Sequence, residues 1–293
     1  VLVRGATRMA LRFQVSSLIV GLTIVAFSTS APEFLVSLTA AMRGVPDFAL
    51  GNIVGSNITN LALVLGVAAL IGTIPIDKIT ARRDWPVTFG ASVLFVIFAR
   101  DGLLQHYEGY ILFAILIAYL THLLLYTKKD QIKLDIEQPL DNESKFEKYK
   151  DGLLIVFGGI CLFFGSEWFI RGGEGLAIDL GISERIIGLT VLSIGTSLPE
   201  LITTIIAAKK GDTNLALGNL FGSNIFNILS IVGLTTIIKE LTVNPTIIDI
   251  DMIWMLAITL AILPLMLLRK RLGTQAGIIL VSAYGLYVYF ILS

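Results

Sequence analysis

Two glutamates occupy places where a carboxylate is costly. Glu33 falls in Ser30-Ala31-Pro32-Glu33, near the middle of an apolar run at 17–42. Glu200 falls in Ser197-Leu198-Pro199-Glu200, near the middle of a run at 183–208. An acidic residue at mid-bilayer costs about 2.5–3.5 kcal/mol on insertion scales, so two at equivalent depth demand a partner. No lysine or arginine occurs at matching depth in any apolar run, which leaves a bound cation or a proton as the counter-charge. The following runs carry Asn60 and Asn227 near mid-depth. Each proline removes an amide donor and clashes with the carbonyl four residues earlier. This predicts freed carbonyls around 26–29 and 193–196, tolerated at such depth only where they line a cavity or are buried in protein. Carbonyls, hydroxyls, amide oxygens and carboxylates make an all-oxygen shell with no sulfur or imidazole. Such a shell suits hard cations, Na⁺ or a Ca²⁺ that takes about 6–8 oxygens, rather than zinc or copper.

These residues recur. Residues 21–60 and 188–227 align without a gap at an offset of 167, with 19 of 40 positions identical. Matches between unrelated apolar helices would be leucines and valines. Here they include Pro32/Pro199, Glu33/Glu200, Asn52/Asn219, Ser56/Ser223, Asn57/Asn224 and Asn60/Asn227, the residue types least expected in lipid. Gly51 and Gly55, like Gly218 and Gly222, form GxxxG patterns that let helix backbones approach. Ser56 and Asn60 share a helical face, as do Ser223 and Asn227.

The elements that must position these groups are membrane helices. Of 293 residues 55% are hydrophobic and 15% charged, and the mean hydropathy is +0.83. That excludes a soluble enzyme, and a net charge of zero gives no sign of a nucleic-acid partner. One cysteine, Cys161, allows no internal disulfide. Nine spans are expected, at 17–42, 48–71, 86–99, 105–126, 151–171, 183–208, 213–238, 250–268 and 275–292. The offset aligns Val1 with Trp168, so the chain is expected to start about 17 residues inside a further first helix. The fold class is therefore an all-α polytopic membrane protein of two five-helix repeats. The expected divisions are 1–126, a cytoplasmic loop at 127–150, and 151–293. An odd number of helices per half inserts the copies in opposite orientation. Counting basic residues by loop puts 17 of 22 on one side, which the positive-inside rule makes cytoplasmic, with both termini outside. Inverted repeats of this kind are the architecture of secondary transporters.

The motifs TSAPE and TSLPE, each followed by GN-x-x-GSNI-x-N, resemble the two alpha-repeats of the calcium/cation antiporter superfamily. They are most similar to the sodium/calcium exchanger branch in its small prokaryotic form. The resemblance covers nearly the whole chain and implies ten helices, alternating access, and exchange of Ca²⁺ for Na⁺ across a cell membrane. It implies Glu33 and Glu200 as the central Ca²⁺ carboxylates, with the carbonyls of Thr29 and Thr196 and the side chains of Asn60 and Asn227. It implies one Na⁺ site at Ser30, Ser56 and the Ala26 carbonyl, and another at Ser197, Ser223 and the Ser193 carbonyl. Many exchangers carry Asp where this chain has Asn227, leaving two carboxylates here, enough to balance one Ca²⁺ or two Na⁺. Ser28 and Ala31 also depart from their second-repeat equivalents, Gly195 and Leu198.

Other readings stand beside this one. Two carboxylates at close range repel one another when both are ionised, which makes H⁺ a rival counter-ion. A cation channel would need a continuous pore, and a scaffold would tolerate neutralisation of both glutamates. Asn60 and Asn227 could instead join helices without touching an ion. Asn52, Asn57, Asn219 and Asn224 read as structural, His106 and His122 as incidental, and Asp249 and Asp251 as helix-start acids. Beyond the transported ions and the lipid bilayer no cofactor or enzymatic chemistry is expected, and the working unit is expected to be a monomer.

Overall fold

The computed structural model describes residues 2–13, 15–76, 79–127, 145–179, 181, 183–269 and 271–292. The chain is helical almost throughout. In the first half, α1 is Leu2–Phe13, and α2 (Ser17–Thr29) and α3 (Ala31–Arg43) meet at 44°. They are followed by α4 (Pro46–Ile71), α5 (Trp85–Ala99, entered through a π turn at Thr80–Asp84) and α6 (His106–Thr127). In the second half, α7 is Lys145–Asp179, and α8 (Arg185–Thr196) and α9 (Leu198–Lys209) meet at 40°. Then come α10 (Thr213–Ile238), α11 (Ile247–Leu267) and α12 (Thr274–Leu292). The halves are the two inverted repeats.

Both bends have a local cause. Ser30 (φ −83°, ψ 7°) and Ser197 (φ −81°, ψ 4°) leave the helical region, and Pro32 and Pro199 open the next helix. There the missing amide is one the helix would have left unpaired anyway. The expectation of a freed stretch of carbonyls needs correction at its first members. Ser30 N still donates to Ala26 O at 2.9 Å, and Ser197 N to Ser193 O at 3.1 Å. Proline deletes only its own amide, so the helical ladder survives up to the serine before it.

Three further irregularities occur in pairs at the same offset. Backbone with π character spans Gly21–Val25 and Gly188–Leu192, Thr59–Val64 and Phe226–Val232, and Thr80–Asp84 and Ile247–Asp251. A π turn puts an extra residue into one turn and often marks functional sites. The turn at Thr80–Asp84 runs directly into Trp85–Ala99, so the short span expected at 86–99 is extended at its start. The last pair ends on Asp84 and Asp251, and both are fully buried. Asp251 is thus not a helix-start acid. It accepts from Arg185 Nε at 2.8 Å and Arg185 Nη2 at 2.9 Å, while Asp84 pairs with Arg83 at 2.7 Å. The helix expected at 151–171 runs Lys145–Asp179, because its flanking charged residues continue it beyond the apolar core. Of the expected loop, residues 128–144 lie outside the described residues.

Burial separates a core from a periphery. The apolar windows of α4 and α10 are each 83% buried, whereas those of α6, α11 and α12 are 33%, 39% and 33% buried. Phe27, Ile97, Leu124 and Tyr289 are exposed, as lipid-facing side chains are. At the helix ends, two short antiparallel ladders join the halves. β1 (Ile74–Pro75) pairs with β4 (Arg271–Leu272), with Ile74 opposite Leu272. β2 (Leu103–Leu104) pairs with β3 (Leu241–Thr242), with Leu104 opposite Leu241.

Candidate cation site

The glycine seams do more than join neighbouring helices. Each GxxxG packs on the bent helix of the opposite repeat. A Cβ on Gly55 would lie 2.8 Å from Leu189 O, and one on Gly222 would lie 2.8 Å from Leu22 O. Only glycine permits such backbone proximity. Because α4 crosses α8 and α10 crosses α2, the two bends are brought together at the centre, and the polar residues after each glycine face the other repeat.

All twelve residues singled out in the sequence are buried there: Glu33, Glu200, Thr29, Thr196, Asn60, Asn227, Ser30, Ser197, Ser56, Ser223, Ala26 and Ser193. Most of their contacts cross between repeats, while Ser223 meets Glu200 within its own. Ser30 Oγ donates to Glu200 Oε1 at 3.2 Å, and Ser223 Oγ donates to the same oxygen at 3.1 Å. Ser56 Oγ lies 3.1 Å from Thr196 Oγ1, and Thr29 Oγ1 lies 3.4 Å from Ser223 Oγ. Asn60 Nδ2 donates to Asn224 Oδ1 at 3.1 Å, and Asn224 Nδ2 to Asn57 O at 3.2 Å.

The oxygens left over define what the site can do. Both carboxylate oxygens of Glu33, Glu200 Oε2, the Oδ1 atoms of Asn57, Asn60 and Asn227, and Ser197 Oγ are buried without a hydrogen-bond partner among the described residues. An unsatisfied buried polar group costs about 1–3 kcal/mol, and more when charged. The ion pairs of Arg83 with Asp84, Arg171 with Glu167, and Arg185 with Asp251 involve neither glutamate. These unpartnered atoms are carboxyl, amide and hydroxyl oxygens, the donor types that suit a hard cation, and two of the groups are carboxyls.

The serine contacts are unequal between the halves. Glu200 rests in a cradle of two hydroxyls, whereas the equivalent Ser56 turns to Thr196 and Glu33 keeps both oxygens open. Asn57, read from the sequence as structural, donates Nδ2 to Ile53 O at 2.8 Å, and its Oδ1 is one of the unpartnered oxygens. The signal was its spacing of three from Asn60, which places both on one face. His106 lies away from the site, where Nδ1 meets Thr236 O at 2.8 Å.

Residues 1–125 and 151–293 match the family described as sodium/calcium exchanger protein. The chain belongs to that family. It is 38% identical to CaxA of Alkalimonas amylolytica over 301 residues, covering 99% of this chain and 93% of CaxA. It is 30% identical to the sodium/calcium exchanger MaX1 of Methanosarcina acetivorans over 318 residues, covering 96% and 91%. A solved structure of the sodium-calcium exchanger NCX_Mj superposes with a TM-score of 0.81 at 29% identity, covering 98% of this chain and 91% of that one. The chain is thus a multi-pass membrane protein of a calcium/cation exchanger family, with the inverted-repeat fold that its sequence implied.

Proposed function

We propose that the chain exchanges Ca²⁺ for Na⁺ at one central site by alternating access. The observation that carries this reading is the pair of fully buried carboxylates, Glu33 and Glu200, beside buried amide and hydroxyl oxygens that have no other partner. Two carboxylates neutralise one Ca²⁺ or two Na⁺. Both ions compete for the same oxygens, so one occupancy excludes the other and flux in one direction needs flux in the other.

In this reading Glu33 and Glu200 hold Ca²⁺ with the carbonyls of Thr29 and Thr196, and Asn60 and Asn227 complete the middle of the shell. Ser30, Ser56 and the Ala26 carbonyl serve one flanking Na⁺ position. Ser197, Ser223 and the Ser193 carbonyl serve the other. The Ala26 and Ser193 carbonyls each accept one backbone hydrogen bond, and the hydroxyls of Thr29 and Thr196 approach them at 3.3 Å and 3.5 Å, so an ion at either position would displace that hydroxyl contact. The monomer is the working unit, because both halves of the site lie on one chain. Residues 127–150 divide the halves and face the cytoplasm, where the basic loops gather.

The test is uptake of radioactive Ca²⁺ into proteoliposomes loaded with Na⁺, with an acid interior, or with neither. Uptake that requires internal Na⁺ supports the proposal. Uptake driven by the proton gradient alone replaces Na⁺ with H⁺ as the counter-ion. Uptake that needs no trans ion would make the protein a channel.

A further inference from the structure

We propose that Asn52 and Asn219 are positioning residues that clamp each repeat's bend to the other repeat. This inference rests on the proposed exchange at the central site. Asn52, on α4, spends its Nδ2 within its own repeat, on Ser37 Oγ at 3.0 Å and Glu33 O at 3.4 Å. Those partners fix the amide's orientation, because Ser37 Oγ itself donates to Ala49 O at 3.4 Å and so accepts from Asn52. Asn52 Oδ1 then faces the other half, where Thr196 Oγ1 donates to it at 3.1 Å. The second repeat repeats the pattern with roles exchanged. Asn219 Nδ2 reaches Thr204 Oγ1 at 3.4 Å, and Thr29 Oγ1 donates to Asn219 Oδ1 at 3.0 Å. All six side chains (Asn52, Ser37, Thr196, Asn219, Thr204 and Thr29) are fully buried.

The chemistry of the clamp follows from where each threonine sits. Thr29 and Thr196 are the last residues before the two bends. A threonine hydroxyl has one proton and two lone pairs. Directing that proton at the asparagine, the nearest acceptor, rather than at the backbone carbonyls also in range (Val25 O and Ala26 O for Thr29, Ser193 O for Thr196) ties the last turn before each bend to the other repeat. Each asparagine therefore ties a threonine of one repeat to the helix that carries the other repeat's glutamate. Neither half-site takes its shape alone, and this makes a single occluded site out of two separate bends. The asparagines themselves touch no ion.

A double-mutant cycle separates this from a general structural role. The set is Asn52→Ala, Thr196→Val, Thr29→Val, the crossed double Asn52→Ala/Thr196→Val, and the uncrossed double Asn52→Ala/Thr29→Val. Each is read in proteoliposomes as KM and maximal rate for Ca²⁺, and in detergent as melting temperature. The expected result is a KM raised about tenfold in Asn52→Ala, with maximal rate within about twofold of wild type. The crossed double is no worse than its worse single, the uncrossed double multiplies the two effects, and Thr196→Ser, which keeps the hydroxyl, recovers most of the KM lost in Thr196→Val. Equal multiplication in both doubles, or a fall in rate with KM unchanged, overturns the clamp. Should Asn52→Ala not fold, the mirror set on Asn219, Thr29 and Thr196 is read by the same criteria. A wild-type protein that exchanges no Ca²⁺ refutes the exchange reading instead, and the melting-temperature cycle then decides the clamp by itself.

Discussion

Adding one methyl group at Gly55 should damage ion binding without replacing any of the proposed ligand residues. The new Cβ would lie 2.7 Å from Ser193 Cβ, 2.8 Å from Leu189 O and 2.9 Å from Leu189 Cα. Ordinary contact begins at 3.4 Å, and two of these three atoms are backbone that cannot swing aside. The crossing of α4 over α8 must therefore open by about 0.6 Å. Ser56 follows Gly55 directly, so its 3.1 Å contact with Thr196 would stretch to about 3.7 Å, beyond hydrogen-bond range. The same opening exceeds the spread of roughly 0.3 Å in Ca²⁺–oxygen distances. Overpacking of this kind costs about 1–3 kcal/mol, and each 1.4 kcal/mol is about tenfold in affinity. Gly55→Ala should thus raise the KM for Ca²⁺ in Na⁺-driven uptake about tenfold or more, as should Gly222→Ala at the mirror crossing. Gly90→Ala is the control, since nothing lies within 4 Å of a Cβ there. A folded Gly55→Ala protein with wild-type KM would refute the argument that helix separation sets the site's dimensions.

Three other outcomes follow from the same geometry. Glu33→Gln and Glu200→Gln should each cut Ca²⁺ uptake by at least about 100-fold, because one remaining carboxylate cannot balance a divalent ion in a low-dielectric site; uptake above a tenth of wild type in either variant would contradict the two-carboxylate shell. Asp251→Ala should cost about 3–5 kcal/mol by stranding the Arg185 guanidinium, whereas Arg185→Met/Asp251→Leu should recover most of that loss in a thermal melt. In a Cys161→Ser background, Arg43→Cys should react with an impermeant maleimide on intact cells and Lys209→Cys only after permeabilisation, while the reverse pattern would invert the assigned topology.

The site was legible because its residues violate what lipid permits. A glutamate after a proline at mid-span is costly enough to announce a function, and the constant offset of 167 showed that it occurs twice. Less legible was anything that depends on which helix crosses which. GxxxG signals a close approach without naming the partner, so the packing of Gly55 on Leu189 of the opposite repeat could not be read from the chain. The π turns were equally hidden, because an extra residue in a turn leaves apolar composition unchanged. That is why Asp251 read as a helix-start acid, although it ends the π turn Ile247–Asp251 and is fully buried. The Ala26 and Ser193 carbonyls were misjudged for a related reason. The local rule for proline concerns the residue four positions back, and it says nothing of the amides of Ser30 and Ser197.

The short ladders β1–β4 and β2–β3 carry a consequence for biosynthesis. Each joins a loop of the first half to a loop of the second, and the glycine seams exchange backbone contacts between halves in the same way. Every such contact occurs twice with roles swapped, the relationship between subunits of a two-fold dimer. Here the partner arrives on the same polypeptide, but later. At about 5–20 residues per second, the 167 residues that separate equivalent positions take roughly ten to thirty seconds to synthesise. Through that interval the first half must wait in the bilayer with Asn52 Oδ1 lacking its Thr196 partner and its glycine face open. The nascent half-protein is the vulnerable species, the one that membrane chaperones and proteases have time to inspect.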